Sequence, residues 1–141
     1  MTSAPPSPNS KPPTEKLRIA VIPKGTTHEF WKSIHAGAIK AVEDLKAQGV
    51  EVTLIWKAPL REDDREQQVQ VVEGFLAQGI SGTVLAPFDR RALVRPVEEA
   101  KRAGIPTVVL DSGLDSDQVV SFLASNNHRG GELAAEHMAK L

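Results

Sequence analysis

Apolar and polar positions along this 141-residue chain switch repeatedly between a strand-like and a helix-like period. Leu17 to Pro23 is a short apolar run closed by a proline, and Lys24-Gly25-Thr26-Thr27 is the polar loop that follows, the signature of a strand and its exit. From Phe30 to Gln48 the apolar residues Ile34, Ala38, Ala41, Val42 and Leu45 recur at the spacing of one helix face, with Gly49 placed to end that helix. Glu51 to Trp56 is a second strand, Lys57 to Arg65 its loop, and Val69, Val72, Phe75 and Leu76 mark a helix stopped by Gly79. Gly82 to Ala86 is a third strand leaving through Pro87-Phe88-Asp89. The helix after it carries Leu93, Val97 and Ala100, ends at Gly104, and should start irregularly because Pro96 is tolerated only in a first turn. Ile105 to Leu110 and Val119 to Ala124 are the fourth and fifth strands, and the last helix follows Asn126-Asn127 with Leu133, Ala134, Met138 and Leu141 on its apolar side.

Strand and helix in alternation predict an α/β fold: a three-layer αβα arrangement with a parallel, flavodoxin-like sheet of about five strands, right-handed crossovers and helices on both faces. The units share no residue-level repeat, so a solenoid is the poorer description. The fourth strand organises the rest. It reads as buried on both faces and delivers Asp111-Ser112-Gly113 to its carboxyl end, the end where ligands bind in open α/β sheets. On local sequence alone Asp111 fits a turn or cap equally well. Folded structure is expected to begin at Leu17, whereas Met1 to Lys16, rich in Pro, Ser and Thr, reads as a disordered or polyproline-like tether.

Composition narrows the chemistry. With 40% hydrophobic and 25% charged residues the chain suits one globular domain of ordinary size. A formal net charge of −1 gives no footprint for nucleic acid, and the pairs Arg90-Arg91 and Lys101-Arg102 are too short to make one. The absence of cysteine excludes disulfides, thiolate metal sites and a cysteine nucleophile, and fits either cytoplasm or periplasm. No apolar run approaches the roughly 18 residues of a membrane span, and the N-terminus lacks the basic and apolar regions of a secretory signal.

In the expected architecture the exit loops Lys24 to Trp31, Pro59 to Arg65, Pro87 to Arg90, Asp111 to Gly113 and Asn126 to Arg129 meet along one edge. An aromatic platform among carboxylates and amides suits a polyhydroxylated ligand, because sugar C–H faces stack on rings while paired hydroxyls bond to planar acceptors. Phe30 and Trp31 also fit simple packing at the start of their helix, or one in the core and the other facing a cleft. Catalytic motifs are missing: no glycine-rich dinucleotide or phosphate loop, Lys24-Gly25-Thr26-Thr27 lacking its upstream glycine, and no nucleophile elbow around Ser112 or Ser125. His28, His35, His128 and His137 show no metal-ligand spacing, and Asp111, Asp115 and Asp117 lack the glycine and glutamate of a calcium loop. The expectation is a binding protein with no enzyme activity, cofactor or metal.

Several ordered blocks point to a family: Ile19 to Lys24, His28 to Ala38, Glu62 to Gln68, Val84 to Asp89, Gly104 to Gly113 and Ser125 to His137. Together they resemble the N-terminal half of a type 1 periplasmic sugar-binding protein of the ribose-binding kind, over Leu17 to Leu141. That resemblance implies two α/β lobes that close over a sugar and hand it to an ABC permease, in the periplasm or cell envelope. It implies that Phe30 and Trp31 stack on the sugar ring, that His28 is a polar contact before them, and that Asp111 grips ring hydroxyls. Lys24, Asp89, Ser112 and Asn126 complete the expected ligand-binding set. One position departs from the ribose-binding pattern: Ser112 stands where an Arg follows the Asp, and a bidentate partner is lost.

A full member of that family is roughly twice as long. Residues 126–141 are therefore expected to be the hinge crossing and the first helix of a second lobe that this sequence carries only in part. Its apolar surface, left without that lobe, is expected to lead to a homodimer, to strand exchange or to fraying of His128 to Leu141. Two other readings share the fold: the effector core of a LacI-type regulator, for which Met1 to Lys16 offers no helix-turn-helix, and a flavodoxin-like enzyme or phosphoacceptor, for which Pro23-Lys24 replaces the paired acids that hold Mg²⁺.

Overall fold

The computed structural model describes residues 16–141. The tether expected over residues 1–16 lies outside the described residues, apart from Lys16, which opens the first strand. The elements are β1 (Lys16–Ile22), α1 (Glu29–Ala47), β2 (Glu51–Trp56), α2 (Arg65–Ala77), β3 (Gly82–Leu85), α3 (Val94–Arg102), β4 (Thr107–Leu110), β5 (Ser121–Leu123) and α4 (Asn127–Met138). Gly49, Gly79 and Gly104 follow α1, α2 and α3 with φ of 86°, 62° and 78°, a backbone region that costs a residue with a Cβ about 1 kcal/mol or more. Pro96 is the third residue of α3, after the turn over 90–93, where its missing N–H costs no helical hydrogen bond.

All five strands pair in parallel in the order β2-β1-β3-β4-β5. The strand period of two sends Ala20, Ile22, Leu85 and Val109 to one face, where α2 and α3 supply Val71, Val72, Phe75, Leu93, Val97 and Ala100. This face is the sealed core. A hydroxyl pair lies in it: Thr83 on β3 and Thr107 on β4 are buried, with Oγ1 atoms 2.8 Å apart.

The opposite face carries Ile19, Val21, Val52, Leu54, Val84 and Leu110, covered by α1 through Ile34, Ala38, Ala41, Val42 and Leu45. One helix does not span five strands, so Val84, Val108 and Leu110 are only half-buried and an apolar groove runs beneath α1. The fourth strand, expected to be buried on both faces, is thus fully buried on one, at Thr107 and Val109. β5 and α4 are exposed throughout, Phe122, Leu123, Leu133 and Met138 included.

Candidate functional site

The chain runs from β1 out to β2 on one side, then returns past β1 to β3 on the other. That reversal places a topological switch point at the carboxyl ends of β1 and β3, where the flanking loops part and leave a crevice. Lys24 leaves β1 at this point, Pro87 to Asp89 leave β3, and Asp111 leaves β4 next door.

Asp111 is the sole non-glycine described residue with a positive φ, at 65°. The Ser112 amide donates to the Leu110 carbonyl at 2.7 Å, so Asp111 sits at the centre of a three-residue turn of the rarer, strained hand. Its own amide is satisfied by the Leu123 carbonyl at 2.9 Å. Lys24 Nζ lies 3.0 Å from Asp111 Oδ2 and donates to Ser112 Oγ, and Ser112 Oγ donates to the same Oδ2 at 3.0 Å. The two charged side chains are 21% and 30% exposed, shielded enough for the pair to be firmer than a surface ion pair. Among the described residues, Oδ1 of Asp111 has no partner, which leaves it an open acceptor. The cation beside Asp111 is thus Lys24, from the first loop of the sheet.

Phe30 and Trp31 open α1 and meet edge to face, centroids 4.8 Å apart. They divide as the sequence allowed: Phe30 is 44% exposed, whereas Trp31 is 4% exposed and gives its indole N–H to Glu62 Oε1 at 2.7 Å. Trp31, expected to stack on ligand beside Phe30, has its ring covered and its one donor taken by Glu62.

Three other residues of the expected ligand-binding set accept hydrogen bonds from nearby backbone amides. His28 is the N-cap of α1, its Nδ1 accepting from the Phe30 amide at 3.2 Å. Asn126 is the N-cap of α4, its Oδ1 accepting from the Arg129 amide at 2.9 Å. Asp89 Oδ1 accepts from the Arg91 and Ala92 amides, both at 2.8 Å, and Oδ2 from Arg65 Nη1 at 3.2 Å. The Ala92 and Arg91 amides, with Arg65 beside them, hold its carboxyl below the usual aspartate range. Such polar residues stand just before helices, where unsatisfied N–H groups claim them first.

Four of the five exit loops are joined by these contacts: Lys24 to Asp111, Trp31 to Glu62, Arg65 to Asp89, and Arg90 to Asp115 at 2.8 Å. Among the described residues, the side-chain hydrogen bonds and ion pairs of Asn126, His128 and Arg129 stay within that segment and α4, and so do not tie it to the rim.

Two residues that shape the rim were missed in the sequence. Glu62 lies in the exit loop Pro59 to Arg65, where nothing local sets it apart from its charged neighbours. Gln68 is 1% exposed; its Nε2 donates to the Ala86 carbonyl at 2.9 Å and its Oε1 accepts from the Phe88 amide at 2.8 Å, stapling the β3 exit to α2. The available signal was its place at the head of the stripe Gln68, Val72, Phe75. Among the described residues no three His, Cys, Asp or Glu side chains are grouped to hold a metal, and no helix is long and apolar enough to cross a membrane.

Comparison with known proteins places this arrangement in context. A family model described as the periplasmic binding protein domain matches residues 19–141. A D-ribose/D-allose-binding protein of Pseudomonas aeruginosa is 33% identical over 132 residues, covering 89% of this chain and 40% of that protein. The periplasmic component of an ABC-type sugar transport system from Hahella chejuensis superposes with a TM-score of 0.78 at 28% identity, covering 88% of this chain and 44% of its own. A carbohydrate transporter solute-binding protein from Agrobacterium radiobacter, solved with D-arabinose, gives 0.72 at 36% identity, covering 86% and 39%. The chain thus spans well under half the length of each of these proteins.

Proposed function

Since the chain belongs to the periplasmic binding protein domain family, we propose that it forms one wall of a monosaccharide site in the solute-binding component of an ABC-type sugar importer. The observation that carries this reading is Asp111: a carboxylate at the carboxyl edge of the sheet, oriented by Lys24 and Ser112, with one oxygen open. A planar acceptor held in that way suits adjacent hydroxyls, and Phe30 at the start of α1 offers a ring for the apolar face of a sugar. Lys24 neutralises Asp111, so an uncharged sugar is favoured over a sugar acid or phosphate. The relatives are named as sugar-binding proteins, one of them for ribose import, which supports this reading over the effector core of a LacI-type regulator and supports a role in binding rather than catalysis.

In this proposal residues 17–125 are the first lobe and 126–141 the hinge crossing and first helix of a second. A permease is the protein partner and the periplasm or cell envelope the place of action. The homodimer expected through residues 126–141 belongs to the same proposal, with Leu133, Met138 and Leu141 of that segment exposed. A single wall covers less of a ligand than a closed cleft, so affinity is weak and NMR titration is the suitable test. Neutral aldoses such as D-ribose and D-allose should shift the amide signals of Asp111, Ser112 and Phe30. Shifts confined to residues remote from these three would defeat the proposal.

A further inference from the structure

We infer that Glu62 is a positioning residue for the ligand platform, holding Trp31 so that Trp31 in turn fixes the ring of Phe30. The inference rests on the sugar-binding reading above. Glu62 belongs to the loop between β2 and α2, one of the exit loops at the carboxyl edge of the sheet. In the fold its carboxylate takes the indole N–H of Trp31 at 2.7 Å, the sole described partner of a donor on a ring only 4% exposed. A buried indole N–H without an acceptor is costly, so the acceptor decides where the ring rests. Trp31 then meets Phe30 edge to face at 4.8 Å, and Phe30 is the member of the pair left 44% exposed.

A second observation joins the same side chain to the ligand loop. A Cβ added at Gly25 would lie 2.6 Å from Glu62 Cγ and 2.8 Å from Glu62 Oε1. The stem of Glu62 therefore lies across Gly25, next to the Lys24 that orients Asp111. No positive φ constrains Gly25, so the glycine is there for space and not for backbone freedom. One carboxylate thus touches the loop bearing the cation and the helix bearing the platform. Because the obstructing atoms belong to a flexible side chain, an alanine at position 25 displaces Glu62 and leaves the backbone in place.

Two independent substitutions should therefore have one effect. In ligand-free protein, E62A and G25A are each expected to move the Trp31 indole N–H resonance, whereas E62Q, which keeps an acceptor oxygen, holds it near its wild-type place. The chain has two tryptophans, and W56F assigns the signals. In NMR titrations with D-ribose and D-allose, E62A and G25A should each weaken binding roughly fivefold or more, and the double variant no further, while E62Q stays within about twofold. An unmoved indole signal in E62A overturns the positioning role and leaves the sugar reading standing. Unchanged sugar affinity in E62A despite a moved indole also overturns it, by reducing Glu62 to a structural contact. A wild-type chain that takes up neither sugar removes the sugar reading, and the positioning role with it.

Discussion

Lys24 Nζ stands 3.0 Å from Asp111 Oδ2, joining the loop after the first strand to the turn after the fourth. The pair is assembled across the sheet from distant residues, so the charge of Asp111 and the backbone cost of its turn can be separated by substitution. D111N keeps an oxygen for Ser112 and tolerates the left-handed backbone, but loses the charge. Sugar affinity should fall at least about tenfold while the fold persists. D111A and D111G both delete the carboxylate and differ mainly in their tolerance of φ 65°, so denaturant melts should show D111G more stable by about 1 kcal/mol. Equal stabilities would refute the strained turn.

Gln68 supports the β3 exit from inside the molecule. Replacing it with leucine takes their partner from the buried Ala86 carbonyl and the part-buried Phe88 amide, an expected loss of about 2–3 kcal/mol in urea unfolding. A loss below about 1 kcal/mol would mean that solvent reaches both groups.

The Thr83–Thr107 pair tests the asymmetry of buried hydrogen bonds. T83V or T107V alone strands one hydroxyl and should cost about 1–2 kcal/mol, whereas the double variant, which removes both polar groups, should lie closer to wild type than the sum of the singles. Simple additivity in a double-mutant cycle would rule this out.

Asp89 makes a prediction about acid stability. The amides of Ala92 and Arg91 lower its carboxyl from the ordinary 3.8, so its contribution is present above that value and lost as pH falls through the lower folded-state value. Thermal melts below pH 4 should therefore decline more steeply for wild type than for D89N, which has no proton to take up. Asp63 and Glu99 are lowered as well, by Arg61 and Arg95, and act alike in both proteins. Parallel curves would show that the amides do not hold the charge.

Self-association through residues 126–141 is checked by sedimentation of the chain. The wild type should shift from monomer to dimer with concentration, and L133D/M138D should remain monomeric. A variant that still dimerises would place the contact elsewhere.

The sequence by itself determined the elements and the edge on which they deliver polar residues. Apolar runs with period two and stripes with period 3.6 are local properties, and the three glycines that stop α1, α2 and α3 must adopt a backbone that few other residues accept. Those facts place β2 at Glu51–Trp56 and set Asp111 at a strand exit without any knowledge of packing. Only the tertiary structure decided which polar groups remain available. His28, Asp89 and Asn126 each accept a hydrogen bond from an amide of the helix or turn that follows, so one acceptor atom of each is already in use. Trp31 and Phe30 are neighbours of similar character, yet one is buried against Glu62 and the other left half-open. The cation for Asp111 comes from Lys24, far away in sequence, because strand order, a non-local property, brings the β1 and β4 exits to the same rim.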